Sequence, residues 1–100
     1  MGHKAVRYLP RGMAQYLKSR PESYATLLGM IDSNEWMTIG EIASIDNRDW
    51  RSSLSRWFTY CDHSGLFEKK TTLIRSRTVF LRRIRQDYRE HLKAYLEGLQ

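Results

Sequence analysis

At Gly65 the hydrophobic pattern of the chain changes period, and this constrains the fold more than any other feature. Before it, Trp50, Leu54, Trp57, Phe58 and Cys61 recur at the spacing of one helical face. Arg51, Ser52, Ser55, Arg56 and Thr59 fall on the opposite face. Glycine accepts the left-handed conformation common just past a helix end, so the helix is expected to stop at Gly65. Beyond it, the segments from Glu68 to Ile74 and from Thr78 to Ile84 are rich in β-branched and aromatic residues. They alternate through Val79, Phe80, Leu81 and Arg82, which reads as a β-hairpin. Its tip, Arg75-Ser76-Arg77, is basic and lacks Gly or Asn-Gly, so the turn type stays open.

Upstream of the long helix the chain carries two shorter ones. Pro21 suits a first helical turn, and Tyr24, Leu27, Leu28 and Ile31 follow the i, i+3, i+4, i+7 pattern, so a helix is expected from about Pro21 to Asp32. Ser33-Asn34 ends it, and the internal Gly29 weakens it slightly. Trp36 and Met37 form a short extended piece. Thr38-Ile-Gly-Glu41 matches a capping box, with Ile39, Ile42 and Ala43 as the buried side of a short helix. Asp46-Asn-Arg-Asp49 is a turn in which Asp49 or Asn47 caps the next helix. A short helix, a tight polar turn and a longer amphipathic helix follow the order of a helix-turn-helix.

Charge divides the chain further. Residues 1–20 hold Lys4, Arg7, Arg11, Lys18 and Arg20 and no acid; residues 21–67 are net −4; residues 68–85 are net +6, with Lys69, Lys70, Arg75, Arg77, Arg82, Arg83 and Arg85 against Glu68. Clustered positive charge favours a polyanion, most often nucleic acid. Residues 1–20 read as a basic arm, interrupted by Pro10 and Gly12, with Met13, Tyr16 and Leu17 as apolar anchors. Lys4, Arg7 and Arg11 are its candidate DNA contacts, in a minor groove or along phosphates. Such an arm can equally be a loose terminus or a strap across a dimer partner. Residues 21–84 form the domain proper. In residues 85–100, Tyr88, Leu92, Tyr95, Leu96 and Leu99 line one side in a coiled-coil-like seam too short to stand alone. It is expected to pair with a second copy, or else to pack back onto its own domain.

Several function classes receive no support from the residues. The chain of 100 residues suits one domain, its single cysteine excludes an internal disulfide, and no apolar run approaches a membrane span. A cytoplasmic location is therefore expected. His3, His63 and His91 are too scattered for a metal set, and no cofactor is expected. No phosphate loop, nucleophile elbow or paired metal-ligand motif is present, so no enzymatic activity is expected.

Taken in order, Ile39-Gly-Glu-Ile-Ala43, Leu54-Ser-Arg-Trp-Phe58, Ser64-Gly-Leu-Phe-Glu-Lys-Lys70 and Arg77-Thr-Val-Phe-Leu81 resemble a winged-helix domain over residues 21–84. They are similar to bacterial repressors of the arsenic-repressor and multiple-antibiotic-resistance-regulator type. The resemblance implies a mainly α chain with a small β-hairpin wing (α+β), a winged helix-turn-helix with a C-terminal amphipathic helix. It implies that Ser52, Ser55, Arg56 and Thr59 face a DNA major groove, and that Arg75 and Arg77 touch phosphates or the minor groove. Arg51, Lys69 and Lys70 complete the expected DNA-binding set. Two departures stand out: Trp57 occupies a position that is usually smaller and polar, and Cys61 alone cannot supply the paired cysteines of a metal sensor. The expected function is sequence-specific binding of double-stranded DNA by a dimeric transcriptional regulator. A protein-binding winged-helix module and RNA binding are the alternatives.

Overall fold

The computed structural model describes residues 8–45 and 51–99, without the side chains of residues 51–53. The Asp46–Asp49 turn, the caps expected from Asn47 or Asp49, Trp50, and the arm residues Lys4 and Arg7 lie outside the described residues. So do the side chains of Arg51 and Ser52.

Arg11–Lys18 forms helix α1, whose Met13 and Leu17 are buried together with Leu9. Leu9, Met13 and Leu17 thus anchor residues 8–20 to the core, while Tyr8, Arg11 and Lys18 stay exposed. Apolar anchors at positions 9, 13 and 17 recur every four residues, so α1 presents one continuous stripe to the domain. Pro21–Ser23 makes a single 3-10 turn that leads into α2, Tyr24–Ser33. Asn34 closes α2 at a φ of 50°, its N–H donating to the Met30 carbonyl at 2.9 Å. Gly29 has a packing reason: a Cβ there would fall 2.5 Å from Ile45 Cγ2.

Helix α3, Ile39–Ala43, is held by the capping box. Thr38 Oγ1 accepts from the Glu41 N–H at 3.1 Å, and Glu41 Oε1 accepts from the Thr38 N–H at 2.9 Å. Its anchor is Ile42; Ile39, expected on the buried side, is exposed. A helix of little more than one turn offers the core a single inward position.

Helix α4, Arg51–Ser64, ends where the sequence indicates. Gly65 has a φ of 80°, the Leu66 N–H reaches back to the Cys61 carbonyl at 3.1 Å, and the Gly65 N–H to that of Asp62 at 3.4 Å. This pair of bonds is a Schellman cap. Trp57 is 1% exposed and meets Phe58 and Phe67 edge-on, with ring centroids at 5.1 and 5.4 Å. Trp57 is thus the main anchor of α4, beside Phe58 and Cys61, while Leu54 is only half-buried.

Strands β1, Phe67–Ile74, and β2, Arg77–Ile84, pair antiparallel from Phe67 opposite Ile84 to Ile74 opposite Arg77. The two turn residues have positive φ, 51° at Arg75 and 64° at Ser76, the signature of a type I′ turn without its usual Asn-Gly. Met37 adds a third position to the sheet, exchanging backbone bonds of 2.9 and 2.8 Å with Arg82.

Helix α5, Arg89–Leu99, turns its seam inward. Tyr88, Leu92 and Leu96 are buried in the core, and Leu99 packs partly against it. The Tyr95 hydroxyl donates to the Ala14 carbonyl of α1 at 2.8 Å, and the Arg89 guanidinium donates to the Ile31 carbonyl of α2 at 3.0 and 3.2 Å. Of the residues expected to form a dimer interface, Tyr88, Leu92 and Leu96 are buried within the domain, and Tyr95 and Leu99 are half-buried against it. A seam of this length buries apolar surface wherever a matching groove lies nearest, and α1 with α2 supplies that groove. The described residues thus form a mixed α+β fold of five helices and a two-stranded hairpin. None of these helices is long and apolar enough to cross a membrane.

Candidate nucleic-acid interface

Because Trp57, Phe58 and Cys61 face the core, α4 must turn Ser55, Arg56 and Thr59 outward, and all three are exposed. The flanks of the helix are fixed on both sides. Tyr60 stacks on Tyr16 of α1 at 3.7 Å, while Asp62 is tied to the hairpin. At about 100° per residue, the strip through Ser55, Arg56 and Thr59 runs between these flanks. His63 continues it, exposed and four residues beyond Thr59. Sequence reasoning treated His63 only as a possible ligand; its i+7 spacing from Arg56 was the signal that places it here. The Thr59 hydroxyl donates to the Ser55 carbonyl at 2.9 Å, so what it offers outward is a hydrogen-bond acceptor and a methyl group.

The hairpin meets α4 through Arg82. Its guanidinium grips the Asp62 carboxylate, Nε to Oδ1 at 3.1 Å and Nη2 to Oδ2 at 3.0 Å, and lies 5.9 Å from the Phe58 ring. Lys69 stands 3.7 Å from the same carboxylate. Arg82 therefore joins three elements, since its backbone also pairs with Met37. The basic block of residues 68–85 is in this way partly neutralised. Arg83 pairs with Glu68 at 2.7 Å and Arg85 with Asp87 at 3.1 Å.

Four cations of the block remain turned to solvent: Lys69, Lys70, Arg75 and Arg77. Lys70 lies 4.6 Å over the Trp36 ring, with Arg83 at 4.3 Å from the same ring. Trp36 is half-buried and props up the base of the hairpin, a role its sequence position did not announce. Arg75 and Arg77 sit at the tip, and among the described residues neither they nor Arg56 has an acidic partner. Arg11 opens α1 and is exposed.

The remaining chemistry of this region is quiet. Burial, and then the charge of Asp62, push the Cys61 thiol well above its ordinary range, so it stays protonated. The described residues contain no group of three or more His, Cys, Asp or Glu arranged to hold a metal ion. What the surface presents is a polar helical strip flanked by a cationic hairpin. No protein-family model matches the chain, and neither does any curated protein or solved structure.

Proposed function

We propose that this chain is a winged helix-turn-helix domain that binds double-stranded DNA and acts in transcriptional regulation. The observation that carries the reading is the pairing of an exposed polar strip on α4 with the solvent-facing cations of the adjoining hairpin. Support for the architecture comes from the order of elements: α2, the Met37 strand position, α3, α4, then β1 and β2, with Met37 paired to β2. In this reading α4 enters the major groove. Ser55, Arg56, Thr59 and His63 meet base edges there, with Arg56 suited to a guanine. Lys69, Lys70, Arg75 and Arg77 take phosphates, which position the protein without reading sequence. Arg11 adds a further phosphate contact from α1.

With the α5 seam turned inward, we read one chain on one site rather than a symmetric dimer. The test is selection of bound duplexes from a random pool, followed by titration of the enriched site across salt. The expected result is a single non-palindromic consensus. Arg56→Ala should then relax the preference at one base and cost roughly 1–3 kcal/mol. Replacing Arg75 and Arg77 together by Ala should weaken all duplexes alike and flatten the salt slope by about two charges. Absence of any salt-sensitive duplex binding would sink the reading in favour of a protein-binding module, and a palindromic consensus would restore the dimer.

A further inference from the structure

The cationic hairpin carries apolar side chains that nothing among the described residues covers. Leu73 is 73% exposed, Phe80 54% and Ile74 48%. Leu73 and Phe80 share one face of the ribbon, because Leu73 lies opposite Thr78 and Phe80 opposite Thr71. The partners are small, so each large side chain stands without an apolar neighbour across the strand. The same face is buried at the hairpin base, through Phe67 and Ile84, and becomes bare only where the ribbon leaves the body. From Lys69 to Leu81 there is no acid, while Lys69, Lys70, Arg75 and Arg77 supply four positive charges. A second copy of the hairpin is therefore a poor occupant, since it would set these charges against their own kind. A polyanion with apolar surface between its charges is a good one.

Resting on the DNA-binding reading, we infer that Leu73 and Phe80 form an apolar wedge that opens a base step from the minor groove and bends the duplex. A two-stranded ribbon with its side chains is wider than a relaxed minor groove of about 6 Å. It enters only if the groove widens, and inserting an apolar side chain between unstacked bases is how a duplex is opened and kinked. Arg75 and Arg77 flank the inserted residue and hold the phosphates on either side. The two groups act together: cations bring the tip to the groove, and Leu73 and Phe80 bury their exposed surface in the step they open. Flexible pyrimidine–purine steps are the preferred targets, because they unstack most readily.

The test uses the full chain and a duplex of roughly 30 bp with a central T-A step, labelled at both ends for energy transfer and carrying 2-aminopurine at that step. The wild-type chain should shorten the end-to-end distance, by a bend within roughly 20–90°, and raise the 2-aminopurine signal. Leu73→Ser with Phe80→Ser touches no core residue. This variant should still bind, with affinity reduced by no more than roughly tenfold, because the wedge gains in burial about what it loses in unstacking. Its complex should be straight and its 2-aminopurine signal quenched. A wild-type complex that forms with an unbent, stacked duplex overturns the wedge and leaves DNA binding standing. Absence of duplex binding overturns both, and vesicles rich in phosphatidylserine then tell whether the tip inserts into an anionic lipid surface instead. Self-association abolished by Phe80→Ser, with no bend, overturns the wedge in favour of a second copy.

Discussion

Arg82 and Asp62 offer the sharpest test of how the hairpin is fixed to α4. Their contact is two-pronged, at 3.0 and 3.1 Å, and the side chains are only 10% and 15% exposed. Breaking a buried pair from one side strands the other charge and costs about 3–5 kcal/mol; residual exposure here favours the lower end. Asp62→Ala leaves Arg82 without a carboxylate partner among the described residues, so the expected loss is about 3 kcal/mol. Arg82→Met is milder. It keeps most of the side-chain volume over Phe58 and leaves Asp62 with Lys69 at 3.7 Å, so the expected loss is about 1–2 kcal/mol, near the cost of one poorly satisfied buried group. The double variant strands neither charge and should be no less stable than Asp62→Ala alone, a coupling of at least about 1 kcal/mol. Urea unfolding followed by tryptophan fluorescence measures all four chains. At an unchanged slope of about 1–2 kcal/mol per molar, Asp62→Ala should lower the midpoint by roughly 2 M. Two results would refute the reasoning: single losses that add within about 0.5 kcal/mol, or Arg82→Met costing more than Asp62→Ala.

Three further outcomes are expected. Ser76→Gly relieves a non-glycine residue at a φ of 64° and should stabilise the hairpin by about 1 kcal/mol, raising Tm by roughly 4–8 °C in a calorimeter; an unchanged Tm would argue against turn strain. The buried Cys61 thiol should resist a disulfide reagent in the native chain and react at once in urea; rapid native labelling would contradict its burial. The Thr38 backbone N–H, and after it the Thr38 hydroxyl, hold the Glu41 carboxyl below its usual value. Because the folded state lowers this pKa, its contribution is present above the ordinary value of 4.5 and is lost as pH falls through the folded one. Thr38→Ala removes the hydroxyl cap and should cost about 0.5–2 kcal/mol, while Glu41→Gln, which removes the titrating carboxyl, should abolish the acid-side loss, read from unfolding midpoints across pH.

Much of the local structure was legible because its causes are local. Gly65 and Asn34 close helices through backbone bonds a few residues long, the Thr38–Glu41 box opens one through bonds between side chain and backbone, and Pro21 starts its turn by its fixed φ. The change of hydrophobic period at Gly65 separated helix from hairpin for the same reason. The outward strip on α4 was equally readable, since a helix whose core face is known must expose the opposite one. The type I′ turn was not, because Arg75 and Ser76 adopt a conformation that neither favours alone; the paired strands impose it.

Three matters were decided only by the tertiary structure. Periodicity identifies residues that share a face but not what covers them, so α1 and the α5 seam could be read as an arm and a dimer element while both pack on their own domain. Trp57 looked out of place until Phe58 and Phe67 closed around it. The run of basic residues between 68 and 85 looked uniformly available, yet Asp62 and Asp87, lying outside it, claim Arg82 and Arg85. Linear charge counts a side chain wherever it stands, whereas the folded chain brings Asp62 from twenty residues away to 3.0 Å from Arg82, lets Asp87 hold its near neighbour Arg85 at 3.1 Å, and leaves Arg56, Arg75 and Arg77 exposed. The sequence by itself determined which segments are helix and hairpin; packing at long range decided which of their charges and faces remain for a partner.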